Sequence, residues 1–206
     1  MQAIGTEDNF HFLVFPQGKD FVRLYAGYRL SDRARFAGPD REARLLKALQ
    51  LNCLPYAEAI LAGNPIGSFN SYSNEDHWVD HPVAPGVVLI GDAAGHNDPV
   101  TGQGVSITAR DVRIVSDILI STKDLGHADF SSYVEESRER MRRLRIAGRL
   151  ASQIRIEFGD AEKQRRARVS KRAAARQLSP MPATIIGPER LPAEAFMPET
   201  IAELIA

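Results

Sequence analysis

One stretch of the sequence, residues 87–119, sets an acid, several glycines and a helix start close together. Val87, Val88, Leu89 and Ile90 have the composition of a short strand buried on both faces. The run stops at Gly91-Asp92. An Asp at a strand's carboxyl end accepts hydrogen bonds from ligand hydroxyls, and open α/β sheets bind ligands at that end. A polar loop, Gly95-His96-Asn97-Asp98-Pro99-Val100-Thr101, then leads to Gly102-Gln103-Gly104. From Val105 the spacing turns helical. Val105, Ala109, Val112, Val115 and Leu119 form one stripe and Ile107, Ile114 and Ile118 a second, so the helix is expected to be mostly buried. Its start offers unpaired backbone N–H groups and the positive end of the dipole. Glycines at 102 and 104 let a flat ligand approach the backbone. The chemistry on offer is a polyol contact beside an anion-stabilising contact. The plainer alternative is an ordinary βα unit with a glycine-rich loop.

Read in full, GDAAGHNDPVTGQGVSITARDV resembles the second flavin fingerprint of the FAD-dependent aromatic hydroxylases, the single-component monooxygenases of the para-hydroxybenzoate hydroxylase type. The resemblance implies that Gly91 and Asp92 are the GD pair, whose Asp binds the ribityl chain of FAD. It implies that Pro99 lies beside the isoalloxazine ring. Gly102, Gln103, Gly104, Val105 and Ser106 match the loop and helix start whose N–H groups face the N1–C2=O edge of the flavin, and Asp111 matches the acidic residue on the helix. Two departures stand out: Gly95-His96 replaces a His directly after the two alanines, and Ser106 stands where Asn is common. The activity implied is hydroxylation of a small organic, aromatic substrate with FAD, NAD(P)H and O2. His96 lies in the right loop and is the weak candidate for a catalytic group. Flavin halogenases and isoprenoid-lipid reductases share a related fingerprint, so these reactions stay open. A non-catalytic remnant that binds a partner is the further alternative.

The elements around this motif are read from local patterning. Residues 10–28 form a hairpin: 10–15 is rich in strand formers, 16–20 is a turn, and 21–28 alternates. One face of its second strand carries Val22, Leu24, Ala26 and Tyr28, the other Phe21, Arg23, Tyr25 and Gly27. By the resemblance this is the substrate-domain sheet, and Arg23 and Tyr25 are candidates to meet a phenolic or carboxylate substrate; a solvated Arg and a packed Tyr are the plainer reading. Asp40 reads as the N-cap of a helix to about 51 with Leu45, Leu46 and Leu49 on its buried side. A second helical segment runs from Pro55 to Gly63, and 66–72 reads as a strand. Ser132 and Glu135 have capping-box spacing. Met141, Leu144, Ala147, Ala151, Ile154 and Phe158 keep a helical stripe up to Gly159, a C-cap, and Asp160 opens another helix to about 177. Recurrent prolines after 179 predict a packed tail with a final helix from Pro198.

The fold class is therefore α/β (α+β), as the C-terminal portion of an FAD-binding flavoprotein monooxygenase. Residues 1–80 would be the end of the substrate-binding sheet domain, 81–125 the closing part of the FAD domain, and 126–206 a helical extension. No GxGxxG occurs in the 206 residues, so the chain is expected to hold only the ribityl and isoalloxazine end of FAD, to bind flavin weakly or not at all, and to be inactive alone. The partner expected is a missing N-terminal FAD-binding half or a second copy of the chain. The 26 basic and 26 acidic residues cancel, which gives no global reason to bind nucleic acid or an anionic membrane. Between 138 and 176 there are 14 basic and 4 acidic residues (14 − 4 = +10), but Phe158 is the one aromatic there, so a solvated helix face is expected rather than a nucleic-acid surface. Glu75, Asp76, His77 and Asp80 lack a second ligand cluster in the sequence, and no metal site is expected. Cys53 is alone and excludes an internal disulfide. Without an apolar span or leader pattern, the expected location is the cytoplasm.

Overall fold

A computed structural model describes residues 2–18, 20–175 and 177–205, without the side chains of Ala173 and Ala174. The chain divides into two compact units, Met1–Tyr72 with Gln153–Lys171, and Ser73–Ser152 with Arg172–Ala206. These do not coincide with the segments 1–80, 81–125 and 126–206. One reason is a helix, Ser131–Ile156, whose last residues belong to the first unit. Another is a C-terminal tail that packs within the second.

The first unit is built on a three-stranded antiparallel meander: β1 (Ala3–Glu7), β2 (Phe10–Pro16) and β3 (Val22–Gly27). The expected hairpin is its second half, with Phe12 opposite Ala26 and Val14 opposite Leu24; β1 was not foreseen. Lys19 of the predicted turn lies outside the described residues. Alternate residues of β2 point to the core, so Phe10, Phe12 and Val14 pack with Phe36, Leu49 and Leu54. Helix α1 (Arg41–Ala48) begins after Asp40, although the Asp40 side chain makes no cap bond. Helix α2 (Ala57–Leu61) follows. The strand predicted over 66–72 does not form. Gly67 takes a left-handed φ of +82° there, and Ile66 and Tyr72 are exposed. Helix α5 (Asp160–Ala174) closes the unit.

The second unit carries the fingerprint on two short antiparallel ladders. They are β4 (His77–Trp78) with β7 (Gly95–His96), and β5 (Val83–Ala84) with β6 (Val87–Val88). The strand expected to be buried on both faces is thus corrected. β6 is two residues long, pairs on one side only, and leaves Val87 exposed. Helix α3 (Gly104–Ser121) forms as predicted but is buried on one stripe, through Ile107, Asp111 and Val115. Of the predicted stripe of Val105, Ala109, Val112, Val115 and Leu119, Val115 alone is buried and the other four are exposed, with Val105 at 84%. Helix α4 (Ser131–Ile156) buries all six residues of its predicted stripe or just beyond it: Met141, Leu144, Ala147, Ala151, Ile154 and Phe158. Its first turn is held by Asp129, which accepts from the Ser131 backbone and hydroxyl, and not by a Ser132–Glu135 box. The tail folds into α6 (Ala183–Ile186) and α7 (Pro198–Ile205). Ala183, Ala195 and Phe196 pack on Ala147. No helix among the described residues is long and apolar enough to cross a membrane.

Candidate functional site

After β6 the backbone makes a tight 3₁₀ turn, Gly91–Ala93, in which Gly91 has φ +54°. Two constraints meet at this glycine. The left-handed backbone disfavours a side chain, and a Cβ would lie 2.5 Å from the Thr108 hydroxyl of α3. The turn is held from beneath by Asp111. One of its carboxylate oxygens accepts the Gly91 N–H at 3.0 Å, and the other pairs with Arg140 at 2.5 Å. Asp111 and Arg140 are only 2% and 6% exposed. Arg140 also reaches Glu136, which in turn pairs with Arg110. Tyr133 donates to the Leu89 carbonyl at 2.8 Å, and burial together with the Asp111 charge pushes its phenol up to about 12. It is a fixed donor at any ordinary pH.

This support leaves Asp92 on the outside of the turn, exposed and without a hydrogen bond among the described residues. Along the following loop, Asp98 is buried and accepts from Val100 N–H at 2.9 Å and from Ser152 at 2.9 Å. Pro99 starts the next 3₁₀ turn, Pro99–Thr101, where its missing N–H costs nothing, and it is exposed. The turn ends at Gly102 with φ +66°, whose N–H returns to the Pro99 carbonyl. The Gln103 side chain donates to the Thr184 carbonyl of the tail and does not cap the helix. The first bond of α3 runs from Ile107 N to Gln103 O at 3.0 Å. The N–H groups of Gly104, Val105 and Ser106 precede it, no side chain caps them, and all three residues are exposed.

The space and the polar groups here decide what the place could hold. A Cβ at Gly102 would meet nothing within 4 Å, and one at Gly104 would have Asp92 Oδ1 as its nearest neighbour, at 4.0 Å. Thus a carboxylate and a set of unspent N–H donors border one open place. That donor set suits hydroxyls on one side and an electron-rich ring edge on the other. A separate cavity of about 420 Å³ is lined by Val83, Phe130, Val134 and Arg138 among others, and by none of the fingerprint residues.

The remaining candidates fall elsewhere. His96 is exposed on β7, directly opposite His77 of β4. Arg23 and Tyr25 belong to the first unit, both exposed on β3, with Tyr25 edge-on to Phe15 at 5.8 Å. In the basic stretch, Arg142 and Arg143 hold Glu139, whose carboxyl they lower to about 2, and Arg165 pairs with Glu157. Sequence reading missed Arg140, Tyr133 and Ser152. The spacing of Glu136 and Arg140, one helical turn apart, was the one available signal.

Comparison with known proteins gives one partial likeness. Over 62 residues the chain is 42% identical to 3-demethoxyubiquinol 3-hydroxylase of Escherichia coli (strain K12). The matched part is 30% of this chain and 16% of that protein's length. No protein-family description matches the chain, and no solved structure matches it. A segment of the chain is thus similar to a segment of a hydroxylase.

Proposed function

We propose that this chain forms part of an FAD-dependent monooxygenase that hydroxylates a small aromatic substrate, using NAD(P)H and O2. The single observation that carries the reading is the uncapped start of α3, facing an exposed Asp92 across glycines that leave the space open. An 18-residue helix without a capping side chain forgoes about 1 kcal/mol of stability. A ligand's electron-rich edge would supply the missing acceptor. The fragmentary similarity to a named ubiquinol-type hydroxylase supports hydroxylation over halogenation or lipid reduction, and supports an aromatic ring as the target.

Bound at this place, the flavin would supply the electron transfer and oxygen activation. The chain's own residues have simpler tasks. Asp92 would accept hydrogen bonds from the ribityl hydroxyls and fix the ring's reach. The N–H groups of Gly104, Val105 and Ser106 would stabilise negative charge at the ring's N1 edge, because preorganised donors act most strongly where charge develops. Pro99 would border the ring as a rigid apolar plate. Asp111 and Arg140 hold the turn that aims Asp92, as positioning residues.

The test is a titration of the purified chain with FAD at high protein concentration, followed by flavin fluorescence. NADPH oxidation is assayed in parallel with candidate phenols. Asp92→Ala should weaken flavin binding about tenfold or more, the worth of a charge-assisted hydrogen bond. Equal affinity in the variant and the parent would overturn the reading, and no flavin binding by either would favour the non-catalytic remnant.

A further inference from the structure

His77 and His96 are far apart in sequence but face one another in the β4–β7 ladder, where His77 is the register partner of His96 and Trp78 that of Gly95. Directly opposed residues in an antiparallel pair hold their Cβ atoms about 5 Å apart on one face. Their ring centroids are 6.0 Å apart with the planes inclined by 33°. Two imidazoles sharing a tetrahedral ion through nitrogens about 2 Å from it would have centroids roughly 5 Å apart. A small side-chain rotation closes that difference. Both rings are exposed, and neither makes a hydrogen bond or ion pair among the described residues.

The ladder that presents them is firmly registered. The Trp78 indole lies over Gly95 so closely that a Cβ there would come within 2.3 Å of the ring and 2.7 Å of the His77 carbonyl. Arg145 covers the indole, at 5.8 Å from its centroid, and Val79 N–H bonds to the Ala94 carbonyl at 2.9 Å. A one-residue slip would send one imidazole to the opposite face, and this packing forbids it.

We propose that His77 and His96 form a two-point chelate for a divalent first-row transition ion such as Zn²⁺ or Cu²⁺. Neutral imidazole is the protein ligand these ions prefer, and a paired donor binds them far better than a single one. Among the described residues no group of three or more His, Cys, Asp or Glu is placed to hold a metal. The ion therefore keeps water in its other positions and exchanges readily. The pair stands independently of whether the chain binds flavin.

The chain contains one tryptophan, Trp78, next to His77, and Cu²⁺ held there should quench its fluorescence. Titrating the full chain with CuCl₂ should give saturable quenching at one equivalent, with ZnCl₂ showing the same stoichiometry by calorimetry. His77→Ala and His96→Ala should each weaken binding at least about tenfold, and His77→Gln and His96→Gln, which keep the strand polar, should do the same. His81→Ala should leave it unchanged. The proposal is overturned if the parent shows no saturable binding, if either single variant retains it, or if His81→Ala loses it.

Discussion

The sheet unit and the fingerprint region are stabilised by opposite means. In the first, Phe10, Phe12 and Val14 on one face of β2 bury themselves against Phe36, Leu49 and Leu54, with the Tyr28 and Phe36 rings 4.4 Å apart. In the second, two-residue ladders contribute little, and buried charges hold the backbone instead: Asp111 on Gly91 N–H, Asp98 on Val100 N–H, Arg140 on Asp111. Apolar packing is indifferent to direction, whereas a carboxylate on an amide fixes a turn in one conformation. A region whose helix start keeps some N–H groups uncapped has its other backbone groups tied down specifically. The exception on the sheet side is His11 of β2 itself, 2% exposed.

The contrast predicts three graded outcomes. Asp111→Ala should act most severely, costing about 3 kcal/mol, because it leaves the buried Arg140 guanidinium with Glu136 as its one remaining carboxylate among the described residues, as well as freeing the turn. Urea denaturation followed by Trp78 fluorescence measures it. A loss under about 1 kcal/mol would mean that the polar ties do not hold this region.

His11 tests the sheet side. The Thr6 hydroxyl donates its one proton to the Arg155 carbonyl at 2.8 Å, so its oxygen accepts from His11 Nδ1 at 2.9 Å. Nε2 is then a bare lone pair without a partner among the described residues. Burial, and then the charges of Arg155 and Arg166, hold the imidazole pKa down from 6.5 to about 4. The unfolded chain therefore binds the proton more readily. The contribution is complete above about pH 6.5 and is lost as pH falls toward about 4, at roughly 1.4 kcal/mol per pH unit and about 3 kcal/mol in all. Urea midpoints at pH 7 and pH 5 should differ more for the parent than for His11→Gln. Equal slopes would count against a buried neutral ring.

The smallest effect belongs to Asp92→Ala, which should change stability by no more than about 0.5 kcal/mol. Its carboxylate is exposed and supports no other described residue. A loss comparable to that of Asp111→Ala would recast Asp92 as a structural residue and erase the distinction between the two aspartates.

Period-based features were the most legible in the sequence. The apolar stripe of α4, the β2–β3 hairpin and the helix after Gly104 follow from spacings of 3.6 and 2, and they formed where expected. Failures arose where tertiary partners decide. Two stripes on α3 read as a buried helix, but the face that is buried takes Ile107 from one and Val115 from the other, with Asp111 between them. An apolar run at 87–90 reads as a core strand, yet β6 paired on one side. Of the candidate site, the acid, the glycines and the helix start were visible as local chemistry. Arg140 and the opposition of His77 to His96 were not, because buried pairing and strand register join residues that the sequence holds apart.

The uncovered stripe of α3 has a practical consequence. Val105, Val112, Leu119 and Ile120 expose apolar surface on a molecule with 26 positive and 26 negative side chains and an isoelectric point near 7.0. Colloidal repulsion between copies then vanishes at neutral pH, where contact between such surfaces is least opposed. Acidification would restore repulsion while eroding the fold through His11. Mildly alkaline buffer leaves that imidazole neutral but adds little charge, because the acids and bases stay balanced and the Cys53 thiol is pushed up to about 11, so protein concentration rather than pH governs such contacts there.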